Sequence, residues 1–181
     1  AKLAATQNKH YLDAPVSGGV KGAEEATLTI LVGGKADDME TARSVFEAMG
    51  RPNLIGPQGA GQTAKLANQL IVAITIGAVS EAFKLAESAG CDIAVLQQAL
   101  QGGFADSKIL NLHGQRMVER NFEPGGFSQS QLKDIRNAQA LAKQGGLDLP
   151  LSNTVEEGFR SLVEDYDGAG LDHSAYYLWL E

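Results

Sequence analysis

Cysteine, basic charge and long apolar segments are all scarce in this sequence of 181 residues. Cys91 is the single cysteine, so no internal disulfide can form, as is typical of proteins of a reducing cytoplasm. The 15 Lys and Arg residues are outnumbered by 22 Asp and Glu residues. The resulting net charge of −7 gives no general attraction to nucleic acid or to anionic membranes, although a local pocket can still accept an anionic substrate.

No segment has the length of a membrane helix or the pattern of a signal peptide. The longest stretch without a charged residue runs from Leu66 to Ser80, which is shorter than the roughly 20 residues that cross a bilayer. The first residues lack the apolar core of a signal peptide. We therefore expect a cytoplasmic protein without a membrane partner, in which a buried core helix accounts for the apolar stretch and Cys91 is a small core residue.

The sequence changes character once, near residue 61. Before it, short extended segments alternate with one helix of apolar period 3.6, in the pattern of an α/β sheet. The segments are 10–16, 27–32 and 53–56, and the helix is 37–49. So few strands do not make a stable doubly wound domain, and the pattern of residues 1–60 therefore starts in mid-fold.

The remaining residues, 61–181, predict an all-helical domain, so the chain is mostly α. Apolar residues surround the axis of the first long helix, as expected for a helix in a core. Asp172 has the position of an N-cap for a last short helix. The helices predicted from the apolar spacing are 64–89, 93–101, 108–119, 130–144 and 151–164.

The first candidate site segment is Asp-Ala-Pro-Val-Ser-Gly-Gly, which begins at Asp13 and follows an extended segment. Ser17, Gly18 and Gly19 offer a hydroxyl and backbone N–H groups without a Cβ in the way, and such a turn can hold a carboxylate or a phosphate. A plain glycine-rich turn explains the same residues.

The second segment is Gly-Ala-Gly-Gln-Thr-Ala-Lys-Leu-Ala-Asn, from Gly59 to Asn68. Lys65 and Asn68 share a helix face, and a lysine beside so much apolar surface can exchange a proton near neutral pH. The alternative is a lysine that reaches into solvent at the helix end. The third glycine and the later acidic residue of a dinucleotide fingerprint are missing.

The third segment contains Lys133 and Asp134 near the start of a helix, where adjacent residues point to different faces. A solvated charge pair is the alternative interpretation. No Walker loop, nucleophile elbow or zinc motif occurs, and the three histidines are scattered, so we expect no metal site.

The order and spacing of these three segments resemble the β-hydroxyacid dehydrogenase family, over essentially the whole chain. The family includes 3-hydroxyisobutyrate dehydrogenase and tartronate semialdehyde reductase and is related to 6-phosphogluconate dehydrogenase. The resemblance implies that residues 1–60 are the C-terminal remnant of a truncated Rossmann domain, without its Gly-x-Gly-x-x-Gly segment. It implies that 61–181 form a 6-phosphogluconate dehydrogenase-like domain. Phe127 stands one residue closer to Lys133 than in the usual family pattern.

By the same resemblance, Ser17, Gly18 and Gly19 bind the substrate carboxylate, Lys65 is the general acid/base and Asn68 orients the substrate. Lys133 would lie beside the nicotinamide of NAD or NADP, and Asp134 would fix that segment. The implied activity is hydride transfer between NAD(P) and a small β-hydroxyacid, in a homodimer or a higher homo-oligomer. The choice between NAD and NADP stays open.

Three other functions are alternatives to this one. A non-catalytic helical dimerisation module would use the long apolar helix alone. A sugar-acid dehydrogenase of the 6-phosphogluconate type would need a basic cluster for a phosphate, and none lies near the three segments. An imine reductase of the same fold usually lacks the catalytic lysine, so Lys65 argues against it.

Overall fold

The computed structural model describes residues 2–7 and 9–181 and divides into two compact units. The first unit, Ala1–Asn68, contains a short mixed sheet with helices. Its elements in chain order are α1 (Lys2–Thr6), β1 (Val16–Ser17), α2 (Gly19–Glu24), β2 (Leu28–Gly33), α3 (Ala36–Glu47) and β3 (Gly50–Gly56). Strand β2 is central, antiparallel to β1 and parallel to β3. This mixed sheet agrees with the α/β pattern expected from the sequence.

The core of this unit lies on one face of β2. Leu28, Ile30 and Val32 alternate inward along the strand and pack against Met39 of α3. The extended segment predicted at 10–16 is a paired strand only at its end, because β1 covers Val16–Ser17. Before β1, Asp13 forms a single antiparallel bridge with Gly33.

Helices alone build the second unit, Gln69–Glu181, within the described residues. The long helix α4 (Ala60–Ser88) begins in the first unit and continues into the second. The elements that follow are α5 (Ile93–Leu100), α6 (Lys108–Glu119), α7 (Ser128–Gln144), α8 (Pro150–Glu164), the 3-10 turns Gly168–Gly170 and His173–Ala175, and α9 (Tyr176–Trp179). The mostly helical fold class is therefore confirmed, while the domain boundary at residue 60 stays a prediction for the complete protein.

The core of the helical unit is closed by residues from the last segment of the chain. Tyr176 and Tyr177 are almost fully buried together with Phe83 and Phe159. The ring of Tyr176 lies 4.9 Å from that of Phe159 and 5.2 Å from that of Trp179. Such tilted and edge-on ring contacts stabilise the core beyond the burial of their area.

Helix α4 is only partly the buried core helix that its sequence predicts. Ala73, Ile76 and Phe83 are fully buried, whereas Ile71 is 67% and Leu85 is 72% exposed. An apolar composition all round the axis therefore did not mean burial on every side. By length and hydropathy alone α4 could also cross a membrane, but a single helix of this kind is weak evidence, since the core helices of soluble proteins pass the same test.

One local expectation from the sequence is wrong, because Cys91 is exposed at the turn before α5 and does not lie in the core.

The glycine-rich turn after Ser17 leads directly into a helix, since Gly19 begins α2. Gly22 of this helix packs on Leu28, and a Cβ there would lie 3.2 Å from Cδ2 of Leu28. This contact depends on the sheet and has no counterpart in the local sequence.

Candidate active site

The turn that carries Ser17, Gly18 and Gly19 joins β1 to α2. Ser17 is paired with Thr29 of β2, so the sheet fixes the start of the turn. Gly18 has φ 141° and Gly19 has φ 64°, which are conformations that favour glycine. A Cβ on Gly19 would meet no atom within 4 Å. The backbone of the turn is therefore open on that side to a small ligand.

Asp13 connects the segment of this turn to the start of α4. Its carboxylate is buried, with the residue 6% exposed. Oδ1 accepts a hydrogen bond from the N–H of Gly59 at 2.6 Å, and Oδ2 accepts one from the N–H of Gln62 at 2.9 Å. The strand segment before Ser17 and the first turn of the helix that carries Lys65 are thus joined directly.

Lys65 and Asn68 lie three residues apart in the second and third turns of α4, on one helix face as the sequence predicted. Both residues are partly buried. The helix holds them rigidly with respect to Gln62, because a residue in a regular helix has fixed backbone geometry. The arrangement can therefore present an ammonium group and an amide from one rigid element that Asp13 ties to the turn.

Lys133 and Asp134 lie near the start of α7 and form an ion pair of 3.0 Å, although adjacent helix residues were expected to separate. The Lys133 side chain is 65% exposed and that of Asp134 is 19% exposed. Oδ2 of Asp134 accepts from Nε2 of Gln69 on α4 at 2.9 Å. Gln131, which is fully buried, donates from Nε2 to the backbone oxygen of Gln69 at 3.1 Å. Two polar contacts thus attach the start of α7 to α4.

A second polar cluster, formed by His113, Asp172 and His173, was not apparent from the sequence. Nε2 of His113 lies 3.2 Å from Nε2 of His173, and Nδ1 of His113 lies 3.4 Å from Oδ1 of Asp172. Nδ1 of His173 lies 3.2 Å from Oε1 of Gln131. The first two contacts join residues about 60 positions apart, so no local spacing could have indicated them.

The hydrogen bonds of Gln131 determine where the protons of this cluster reside. Its Nε2 donates to Gln69, so its Oε1 accepts and Nδ1 of His173 must donate. A neutral His173 then accepts at Nε2 from Nε2–H of His113. Nδ1 of His113 faces the carboxylate of Asp172.

The electrostatic environment agrees with these proton positions. Burial, together with the neighbouring charge of His113, lowers the pKa of His173 to about 4. Burial by itself would raise the pKa of Asp172, but the close contact of His113 and the hydrogen bonds from Ser174 outweigh it and hold the pKa of this carboxyl well below its usual range. Asp172 is therefore a carboxylate, and His173 is a neutral imidazole.

One ligand atom from each of these three side chains lies within 4.8 Å of the others, so the group could hold a metal ion by distance. Both oxygens of Asp172 are already used as acceptors, however. Oδ1 accepts from the N–H and the hydroxyl of Ser174, and Oδ2 accepts from the N–H groups of Gly125 and Gly126. The two imidazoles bond each other through Nε2, so hydrogen bonds account for the ligand atoms of the cluster except Nδ1 of His113, which contacts Asp172 at 3.4 Å.

The two glycines before Lys65 have different reasons to be glycine. A Cβ on Gly61 would lie 2.3 Å from the backbone oxygen of Leu31, so Gly61 lets α4 begin directly against β2. A Cβ on Gly59 would meet no atom within 4 Å, but its φ of 93° favours glycine. For a dinucleotide, the chain offers the exposed ammonium of Lys133, whose charge suits an anionic cofactor, while the Gly-x-Gly-x-x-Gly segment is absent from this sequence.

Comparison with protein families gives two matches that together cover nearly all of the chain. Residues 59–180 match a family described as NAD-binding of NADP-dependent 3-hydroxyisobutyrate dehydrogenase. Residues 1–87 match a family described as the NAD binding domain of 6-phosphogluconate dehydrogenase. The order of the two matches is that of the two regions predicted from the sequence.

Individual relatives agree with this assignment. The 2-hydroxy-3-oxopropionate reductase of Escherichia coli is 48% identical over 94% of this chain and 59% of its own length. A probable mitochondrial 3-hydroxyisobutyrate dehydrogenase-like protein of Arabidopsis thaliana is 35% identical over 93% of this chain and 50% of its own.

A solved structure of Mycobacterium tuberculosis 3-hydroxyisobutyrate dehydrogenase with L-serine has a TM-score of 0.89 and 32% identity, covering 99% of this chain and 64% of its own. The chain therefore spans between half and two thirds of the length of these relatives.

Proposed function

The chain belongs to the β-hydroxyacid dehydrogenase family of NAD(P)-dependent oxidoreductases, and on this premise we propose that the complete enzyme transfers a hydride between NAD(P) and a small β-hydroxyacid, with Lys65 as the general acid/base. The observation that carries the proposal is the contact of Asp13 with Gly59 and Gln62. It supports a single site because it joins the segment of the Ser-Gly-Gly turn to the helix of the lysine.

In the proposed mechanism, Ser17, Gly18 and Gly19 bind the substrate carboxylate through the hydroxyl and the backbone N–H groups. This contact fixes one end of the substrate, so that its reacting carbon has a defined position relative to Lys65. Asn68 orients the oxygen on that carbon. The open space beside Gly19 supports this assignment, since a small anion can approach the backbone there.

The bound nicotinamide supplies or accepts the hydride. During reduction, the ammonium of Lys65 stabilises the negative charge that develops on the aldehyde oxygen and donates a proton to it, leaving a neutral amine. During oxidation, the neutral amine removes the hydroxyl proton. Lys133 would contact the cofactor, and Asp134 would hold Lys133 through their ion pair while it also binds Gln69.

For the substrate, we propose a compound of the 3-hydroxyisobutyrate or the tartronate semialdehyde/glycerate type. The identity to a 2-hydroxy-3-oxopropionate reductase supports the second type, and the match to the 3-hydroxyisobutyrate dehydrogenase family supports the first. Parallel assays of both substrates, each with NAD and NADP, would separate the two types and identify the cofactor.

Replacement of Lys65 by Ala in the complete enzyme tests the catalytic assignment. We expect kcat/KM to fall by about 10²–10⁴-fold, the usual contribution of a general acid/base, with the circular dichroism spectrum unchanged. Lys143→Ala, which removes an exposed lysine of α7, serves as the control for loss of charge. If the Lys65→Ala enzyme kept more than about a tenth of the wild-type turnover, Lys65 would not be the acid/base.

Ser17→Ala tests the carboxylate site. Because the hydroxyl would contact a part of the substrate that does not react, its removal should mainly raise KM. An unchanged KM would remove Ser17 from carboxylate binding.

A further inference from the structure

Asp13 is held at four points by the two elements on either side of it. Its backbone N–H donates to the oxygen of Gly33 at 3.1 Å, and its backbone oxygen accepts from the N–H of Gly33 at 2.8 Å. Its carboxylate accepts from the N–H groups of Gly59 and Gln62 at 2.6 and 2.9 Å. The main chain of Asp13 is thus bound to the end of β2, and its side chain is bound to the beginning of α4.

The carboxylate has a clear electrostatic reason to lie at this place. The first N–H groups of a helix have no partner within the helix, and their partial positive charge favours an anion. A helix is usually capped by the residue that precedes it. Here the cap comes from a residue 46 positions before Gly59 and 49 positions before Gln62. The cap therefore binds the first N–H groups of α4 and also fixes the start of this helix relative to the end of β2.

The packing around this carboxylate leaves little freedom. A Cβ on Gly33 would lie 2.6 Å from Oδ1 of Asp13, and a Cβ on Gly61 would lie 2.7 Å from its backbone oxygen. Contacts this short exclude any side chain at either position without displacement of the backbone. The start of α4 can therefore shift against β2 only if the contacts of Asp13 are broken.

We propose that Asp13 is a positioning residue, which sets the location of Lys65 relative to the turn of Ser17, Gly18 and Gly19. This inference rests on the proposed function of that site. Asp13 lies four residues before Ser17 in the same bridged segment, and Lys65 lies three residues after Gln62 in a regular helix. The carboxylate is therefore a short and rigid link between the group that binds the substrate and the group that transfers its proton.

The test replaces Asp13 by Asn in the complete enzyme. Asn has the same shape but a single oxygen, so its amide group would face one of the two N–H donors and lose that hydrogen bond. The control is Asp92→Ala, which removes a cap of the same kind: Oδ1 of Asp92 accepts from the N–H groups of Ala94 and Val95 at the start of α5. This second cap has no part in the proposed site.

We expect Asp13→Asn to lower kcat by about 10²-fold, the effect of a misplacement of roughly 1 Å in a reacting group. The melting temperature should fall no further than in Asp92→Ala, which should keep wild-type kcat. Hydrogen exchange of one of the two amides, Gly59 or Gln62, should accelerate in Asp13→Asn alone. The pH profile of kcat should also change only in this variant, because a displaced Lys65 meets a different environment.

Two results would overturn the positioning role. One is an Asp13→Asn enzyme with wild-type kcat, and the other is a loss of kcat equal to that of Asp92→Ala. Slow exchange of both amides in Asp13→Asn would contradict the anchoring itself, whatever the activity. An inactive wild-type enzyme would instead contradict the proposed function, whereas an active wild type with a fully active variant would contradict the role of Asp13 alone.

Discussion

Acidification from pH 7 to pH 5 should lower the free energy of unfolding of the helical unit, because His173 is neutral and buried in the folded chain. Its pKa there is about 4, against a value of 6.5 for an ordinary histidine. Between these two values the unfolded chain binds more protons than the folded chain does. The stability therefore rises with pH in this window and is lost as the pH falls through it.

The size of the effect follows from the two pKa values. At pH 5 the unfolded ring is protonated roughly 30 times more often than not, whereas the folded ring is protonated about a tenth of the time. At pH 5 the proton-binding polynomial of the unfolded ring is about 30 times that of the folded ring, which corresponds to a loss of about 2 kcal/mol, whereas almost no loss remains at pH 7. Asp172 contributes outside this window, because its pKa is lowered in the folded chain. The stability that it provides is present above about pH 4 and is lost only below it.

Urea unfolding at pH 5, 6 and 7 measures this loss through the fluorescence of Trp179, the single tryptophan, which packs against Tyr176. His173→Gln removes the titrating ring and keeps a polar side chain, so this variant should lose most of the pH dependence in the window. The reasoning would be refuted by a wild-type loss under about 0.5 kcal/mol, or by an equal pH dependence in His173→Gln.

Two further predictions concern packing and assembly. Gly158→Ala should lower the free energy of unfolding by about 1–3 kcal/mol, because its Cβ would lie 2.5 Å from the Tyr176 ring. The control Gly77→Ala, whose Cβ would make contacts of 3.4 Å or more, should have no such cost. Equal losses of stability for the two variants in thermal unfolding would contradict this prediction. The complete enzyme should be a homodimer in light scattering, and Ile71→Glu with Leu85→Glu should dissociate it, because these exposed apolar residues of α4 favour a covered surface. A monomeric wild type, or an unchanged mass in the double variant, would count against this assembly.

Helices with a strong local pattern were the most predictable part of the fold. The helix predicted at 108–119 coincides with α6, and Ser107 caps it by accepting from the N–H of Leu110. The strand predicted at 27–32 differs from β2 by one residue at each end. By contrast, the burial of α4 was overestimated, since composition records which residues are apolar and not which of them find a partner.

In the candidate site, too, the parts set by local sequence could be predicted and the parts set by contacts between distant segments could not. Lys65 was assigned to its helix, and Ser17, Gly18 and Gly19 to a turn, because their motifs are contiguous in sequence. The cap provided by Asp13 and the pair of His113 and His173 depend on contacts between distant segments, and no periodicity reports such contacts. Phe127 also has a place that spacing did not suggest: it precedes α7 as its N-cap residue and forms a bridge with Asp172.

The position of Tyr176 and Tyr177 in the core has a consequence for synthesis of the protein. Their buried neighbours, from Ala73 to Phe159, leave the ribosome earlier and cannot complete their packing until these two tyrosines have followed. Until then, the newly synthesised helices expose apolar surface, which promotes aggregation. Folding of this unit is expected to finish only after translation of its last helix, and chaperone binding to ribosome-bound chains would be strongest just before that point.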